Sequence, residues 1–205
     1  MKVLLIYNPN SGNRTFKNYL DTILEKFQEK GYLVTLWRIT ECCDLPVLFR
    51  EIDRTEYKKV LIAGGDGTIH QVANSLLANG FDLPIGIYPA GTANDFAHNF
   101  NLPSALEDMT EIYTEDSFVY SDVGMANGKY FINVASLGCL TDVSQKTDPK
   151  VKTSFGIFSY YLKGIEEFQK LRTIKVRVIS EEYIFEDEIY FMLVMNGKSA
   201  GGFKK

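Results

Sequence analysis

The sequence predicts an α/β chain whose parallel sheet gives way to an antiparallel, β-rich region. Three observations predict it. Over the first hundred or so residues, short apolar runs alternate with amphipathic stretches, the pattern of βαβ units. Near Phe118 that rhythm stops, and two apolar runs flank Asn127-Gly128, a two-residue hairpin signal. Glycine-bearing turns follow three of the early runs. The boundary is expected near residues 115–120, with one domain over 1–118 and a second over 119–205.

The elements follow in order. Val3 to Tyr7 is continuously apolar, as a strand covered on both faces should be. Phe16 to Lys30 carries Phe16, Leu20, Ile23, Leu24 and Phe27 at helical spacing, and Gly31 ends it. Tyr32 to Ile39 reads as a strand, Leu45 to Ile52 as a helix and Val60 to Ala63 as a strand. Thr68 to Leu77 is helical, with Ile69, Val72, Ala73, Leu76 and Leu77 on one side, and Ile85 to Tyr88 is a strand. No element is assigned between 89 and 117. Phe118 to Ala126 and Lys129 to Leu137 form the expected hairpin. Thr141 to Lys152 reads as a loop and Phe155 to Phe168 as a helix. Ile174, Val176 and Val178 alternate with Lys175 and Arg177, a half-buried strand, and Glu188 to Met195 reads as another.

Composition removes several function classes. The 205 residues carry 22 Lys and Arg against 26 Asp and Glu, a net charge of −4. A dominantly basic nucleic-acid binder is excluded, because neutralising phosphates along a strand needs a cationic surplus. With 45% hydrophobic and 23% charged residues the chain is ordinary for a globular protein. No apolar run approaches the ~18 residues of a membrane span, and the first seven residues read as a strand rather than a leader. Cys42, Cys43 and Cys139 have neither disulfide nor metal spacing with His70 and His98, so reduced thiols in a cytosol are expected.

The three turns hold the chemistry. Asn8-Pro9-Asn10-Ser11-Gly12 follows the first strand, Gly64-Gly65-Asp66-Gly67-Thr68 the third, and Pro89-Ala90-Gly91-Thr92-Ala93-Asn94-Asp95 the fourth. In a parallel sheet such turns emerge at one edge, where ligands bind. Glycines let backbone approach a ligand, and N–H groups at helix starts suit anions. Ser11, Thr68, Thr92 and Asn94 add short donors, so the set describes a phosphate cradle. Each turn alone could be structural, since these residue types also make ordinary turns; three on one edge favour a site. Asp66 would be repelled by phosphate unless a metal bridges them or it takes a proton. Asp95 could help hold Mg2+ or its water. No Walker A pattern and no complete Gly-x-Gly-x-x-Gly is present. Arg14 and Lys17 could also touch phosphate. Lys146, Lys150 and Lys152 are read as a solvated loop or as contacts to anionic head groups, the apolar face of 155–168 as core packing or the border of a lipid cleft, Cys139 as buried and His98 as a helix-end residue without a catalytic role.

At these residues the sequence resembles the diacylglycerol kinase catalytic-domain family, in its soluble bacterial form. The matching stretches are NPNSG at 8–12, GGDGT at 64–68 and PAGTANDFA at 89–97, with weaker matches at 122–138 and 195–203. GGDGT alone is shared with NAD kinases. The resemblance implies a parallel-sheet nucleotide-binding domain of the NAD kinase/diacylglycerol kinase type, followed by a partial antiparallel β-sandwich, with the site in the cleft between them. It implies an ATP site along Asn8, Pro9, Asn10, Ser11, Gly12, Thr40, Gly64, Gly65, Gly67, Thr68, Ile69, His70, Gln71, Gly91, Thr92 and Asn94. Asp66 would act near Mg2+ and the transferred phosphate, with Asp95 and Asp122 as further acidic members. His70-Gln71 stands where the family usually has Asn-Glu. Members of the family continue further, into a DGxLD-like metal motif and a late glutamate proposed as general base, so the expectation is a shortened member.

The function expected from this is ATP-dependent transfer of the γ-phosphoryl group to a lipid hydroxyl, with diacylglycerol giving phosphatidate. The alternatives are NAD kinase-like phosphorylation of a soluble nucleotide and a nucleotide-binding fragment without turnover. The expected cofactors are ATP and Mg2+. The expected setting is cytoplasmic with peripheral contact to the inner membrane surface, where the lipid substrate lies. No nucleic-acid partner is expected, and the oligomeric state is open, a homodimer included.

Overall fold

A computed structural model of the chain describes residues 1–41, 45–138, 173–196, 199–200 and 203–204. Cys42, Cys43, Cys139, the expected loop at 141–152 with its three lysines and the expected helix at 155–168 lie outside the described residues. Four apolar runs form strands β1 (Lys2–Tyr7), β2 (Leu33–Arg38), β3 (Tyr57–Gly64) and β4 (Ile85–Pro89). They make one all-parallel sheet in the order β2-β1-β3-β4. The connecting helices are α1 (Leu20–Glu29, entered through a 3-10 turn at Phe16–Tyr19), α2 (Leu45–Glu51) and α3 (Asp66–Ala78).

Strand order dictates which face each helix covers. The chain leaves β1 in one direction through α1, then reverses through α2 and α3. Crossovers of one hand must therefore put α1 on the opposite face from α2 and α3. The core divides accordingly. Val3, Leu5, Leu61 and Ala63 pack with Ile23 and Phe27 of α1. Leu4, Ile6, Val60 and Ile62 pack with Leu48 and Phe49 of α2 and Ile69, Val72 and Leu76 of α3. Successive side chains of one strand feed opposite layers, which is why β1 and β3 are apolar without alternation. Each such side chain contributes ~1.5–3 kcal/mol of burial.

A fourth helix, α4 (Leu106–Thr114), stands where the sequence reading assigns no element. Its residues are mostly polar, so its periodic signal is thin. Packing holds it: Met109 joins the α1-side core, and the Tyr88 and Tyr113 rings meet edge-on at 5.1 Å. Buried Lys59 secures its end, donating from Nζ to the carbonyls of Tyr113 (2.9 Å) and Glu115 (2.7 Å), with Asp116 at 3.6 Å. Burial pulls the Lys59 pKa down, against the pull of Asp116. These carbonyls lie where a helix C-terminus lacks donors of its own.

Beyond α4 the chain is antiparallel. Strands β5 (Gly124–Ala126) and β6 (Lys129–Phe131) pair across the Asn127-Gly128 turn, both of whose residues have positive φ. The expected strand from Phe118 is therefore shorter, because pairing begins only at Gly124. Strand β7 (Val134–Gly138) follows, then β8 (Ile174–Ile179), β9 (Ile184–Ile189) and β10 (Phe191–Met195). The run expected at Glu188–Met195 is divided at Tyr190, its first residues belonging to β9, which pairs with β8, while β10 pairs with β7. A short pair, β11 (Ser199–Ala200) with β12 (Phe203–Lys204), closes the list. By contact the chain divides into one unit of residues 1–133 and 196–205 and another of residues 134–195.

Two buried tyrosines predict alkaline behaviour. Burial pushes the Tyr88 and Tyr113 hydroxyls up, Tyr113 to about 12. A pKa raised in the folded state gives stability that is complete below the unfolded value near 10 and is lost as pH rises through the folded value. Between pH ~10 and ~12 each should cost ~1.4 kcal/mol per pH unit. Urea unfolding across that window should show the fall, and Tyr113→Phe should roughly halve its slope, leaving the share of Tyr88.

Candidate functional site

Parallel order β2-β1-β3-β4 has its direction switch between β1 and β3, and the carboxyl ends there open a crevice. The turn after β1 and the turn after β3 flank that crevice. They are joined directly: Asn8 Nδ2 donates to Thr68 Oγ1 at 3.0 Å, and the Asn8 N–H donates to the Ala63 carbonyl at 2.9 Å. The turn after β4 closes on both. The Ala90 N–H donates to the Gly64 carbonyl at 3.0 Å. A Cβ at Gly91 would collide with the Gly65 Cα, and one at Gly12, where φ is +48°, would collide with the Ala90 carbonyl. Only glycine allows three backbones to meet this closely.

The asparagines of these turns are engaged in building them. Asn8 Oδ1 accepts from the Asn10 N–H at 2.9 Å while its Nδ2 holds Thr68. Asn94, at φ +54°, accepts from the Gly91 N–H at 2.8 Å and donates to the Gly91 carbonyl at 3.1 Å. Thr68 is buried beneath the junction. Its oxygen receives the Asn8 amide, so its own O–H proton remains as a donor.

Asp66 opens α3 with Gly65 as its N-cap, in the position where a helix dipole favours negative charge. Its Oδ1 accepts the Phe96 N–H at 2.9 Å, which ties the turn after β3 to the turn after β4. Oδ2 is its remaining acceptor. No set of three or more His, Cys, Asp or Glu side chains suited to a metal occurs among the described residues. Mg2+ bound to phosphates needs only one or two carboxylates, so a single Asp66 fits it.

The other expected residues are spread more widely. Pro9, Ser11 and Asp95 are half-buried in the turns, and Asn10, Gly67 and Thr92 are exposed there. Ile69 lies in the core, 1% exposed. Gln71 is exposed on α3. His70 lies within 3.3 Å of Asn74 Nδ2, and burial pulls its imidazole below the ordinary value, favouring the neutral ring. Thr40 is exposed just beyond β2, beside Ile39, whose N–H donates to the Tyr7 carbonyl. Asp122 is exposed, in the chain before β5, with its carbonyl held by Asn196. Sequence reasoning did not find the Phe96 N–H, a backbone donor that no side-chain pattern announces. Nor did it single out Asn74, whose signal is an amide inside a helix, where propensity disfavours it. A cavity of about 620 Å³ adjoins the cradle on the α1–α4 side, with Ser11, Gly91, Asn94, Phe16, Tyr88 and Met109 in its wall; Asp66 is not in that wall.

The backbone junction makes a direct prediction. Gly91→Ala should push Gly65 aside and cost ~1–3 kcal/mol, the range for overpacking. That corresponds to a thermal midpoint lower by roughly 2–10 °C in a chain of this size, read by differential scanning calorimetry.

Comparison with known proteins agrees with this geometry. The model of the diacylglycerol kinase catalytic domain matches residues 2–126. A diacylglycerol kinase of Bacillus subtilis is 36% identical over 206 residues, covering 98% of this chain and 67% of that protein. One of Staphylococcus carnosus is 33% identical, covering 98% of this chain and 66% of its own length. The chain thus spans about two thirds of the length of these relatives. A crystal structure of a diacylglycerol kinase from Bacillus anthracis superimposes with a TM-score of 0.74 at 26% identity, over 100% of this chain and 67% of that one. Glycine turns meeting at the switch of a parallel sheet, with a matching family model over more than half its length, place this chain in the diacylglycerol kinase catalytic-domain family.

Proposed function

We propose that the chain binds ATP and takes part in transferring its γ-phosphoryl group to a lipid hydroxyl, with diacylglycerol as acceptor. The observation that carries this reading is the junction of Gly12, Gly65, Ala90 and Gly91, with Asp66 held at its border by the Phe96 N–H. Phosphoryl transfer asks a protein mainly for positioning and charge neutralisation. Backbone N–H groups of the turns, the α3 N-terminus and the Thr68 hydroxyl would supply donors for the phosphates. Thr40, His70, Gln71 and Thr92 would border the nucleotide. Bound Mg2+ would neutralise phosphate charge beside Asp66, with Asp95 and Asp122 as further acidic groups of the site. Diacylglycerol is favoured because the relatives are named for it.

No helix among the described residues is long and apolar enough to cross a membrane. A lipid acceptor lies in a membrane, and on the proposed reading the chain meets it at the membrane surface by peripheral contact from the cytoplasmic side.

The test uses the full-length protein, radiolabelled ATP with Mg2+, and vesicles containing diacylglycerol, beside parallel reactions with NAD and a sphingoid base. Labelled phosphatidate is expected, together with its loss on chelation of Mg2+. Asp66→Asn keeps an oxygen for the Phe96 N–H, so the fold should persist while turnover drops by at least ~100-fold. Preferential labelling of NAD, or nucleotide binding without any transfer, would refute the lipid kinase reading.

A further inference from the structure

Asp66, His70 and Asn74 are spaced four apart on α3 and share one face of it. Asn74 uses that face to hold the β5–β6 hairpin. Its Nδ2 donates to the Tyr130 carbonyl at 2.8 Å, and its Oδ1 accepts the Tyr130 N–H at 3.1 Å. One side-chain amide thus meets both polar groups of one residue, as a neighbouring strand would. The same Nδ2 lies 3.1 Å from the His70 carbonyl. Tyr130 is paired in turn with Met125, three residues after Asp122.

A second asparagine holds the same segment from its other side. Asn196 Nδ2 donates to the Asp122 carbonyl at 2.6 Å and to the Ile132 carbonyl at 3.1 Å, while its backbone N–H donates to the Asn133 carbonyl at 2.8 Å. Ile132 is buried in the core on the α2–α3 face. The chain from Asp122 to Asn133 is therefore tied by Asn196 at both ends and by Asn74 at its middle. Asp122 itself is exposed and its carbonyl is fixed.

We propose that Asn74 and Asn196 are positioning residues, which together set the Asp122 segment along the face of α3 that begins with Asp66. Neither is assigned contact with nucleotide or acceptor; they act through the hairpin. The inference rests on the kinase reading above for the reaction that this placement serves. Side chains that orient reacting groups through a hydrogen bond typically carry tenfold to hundredfold effects.

The experiment takes the full-length protein with Asn74→Ala, Asn196→Ala and the double variant, assayed with Mg2+, ATP and diacylglycerol vesicles. Each single change should lower kcat by roughly tenfold to a hundredfold while leaving KM for ATP within about twofold. The double variant should lose less than the product of the two, because both ties serve one segment. A side chain that merely supports the fold would lower the thermal midpoint and leave kcat of the folded enzyme unchanged, and that result would overturn the inference. Amide hydrogen exchange of the unaltered protein needs neither a folded variant nor turnover. The Tyr130 N–H should exchange far more slowly than those of Asn127 and Gly128 in the adjoining turn, and equal rates would overturn the clamp. An unaltered protein without any transfer sinks the kinase reading; an active one whose Asn74→Ala variant keeps its kcat sinks this inference alone.

Discussion

Close contact of three backbones at one edge of the parallel sheet is the constraint from which the rest of the structure follows. Gly12 lies against Ala90, and Gly65 lies against Gly91. A Cβ at Gly12 or at Gly91 would come within 2.4 Å of the facing backbone, so these approaches fix glycine at both points before any ligand is considered. They also fix what surrounds them. With Gly91 against Gly65, the start of α3 is carried next to the turn after β4, and the Phe96 N–H comes within reach of Asp66. A carboxylate at a helix start is favoured by the dipole and fixed by that donor. The three turns are thus held against one another by contacts within the chain itself.

Asparagine is the second recurring device. Asn8 and Asn94 fold the turns onto themselves and onto Thr68, while Asn74 and Asn196 hold the chain from Asp122 to Asn133. A side-chain amide has the donor and acceptor of a peptide group, so it can satisfy backbone that regular structure leaves open. This explains why polar residues inside a helix or a glycine turn can strengthen the fold. Thr68, receiving Asn8, is part of that scaffold and keeps its own O–H proton to donate.

The centre of the sheet was legible because β1 and most of β3 are buried on both faces and read as apolar runs, while the edge strand β2 was legible from its short run between Gly31 and the next helix. The helices α1 and α3 were legible by their spacing, and the hairpin by Asn127-Gly128. Helix α4 was not, because its stability comes from Tyr88, Met109 and the Lys59 tie rather than from its own sequence pattern. The division at Tyr190 was hidden for a related reason: Glu188 to Met195 is one mostly apolar run, and its two parts are separated by their partners, β8 and β7. At the site, Ile69 follows directly after the GGDGT stretch and is packed in the core on the α2–α3 face.

By itself the sequence determined the chemistry available at each turn: glycine where backbone must approach, short hydroxyls and amides beside it, and one carboxylate opening a helix. Those are properties of residue types and local backbone, and neighbours in sequence suffice to set them. Which turn meets which was decided by tertiary structure alone. The order β2-β1-β3-β4, which places helical layers on opposite faces, brings residues 12, 65 and 91 together. The partners of Asp66 and Asn74 are backbone groups 30 and 56 residues away, and every residue but proline carries such an N–H, so no pattern in the sequence marks the one that is used.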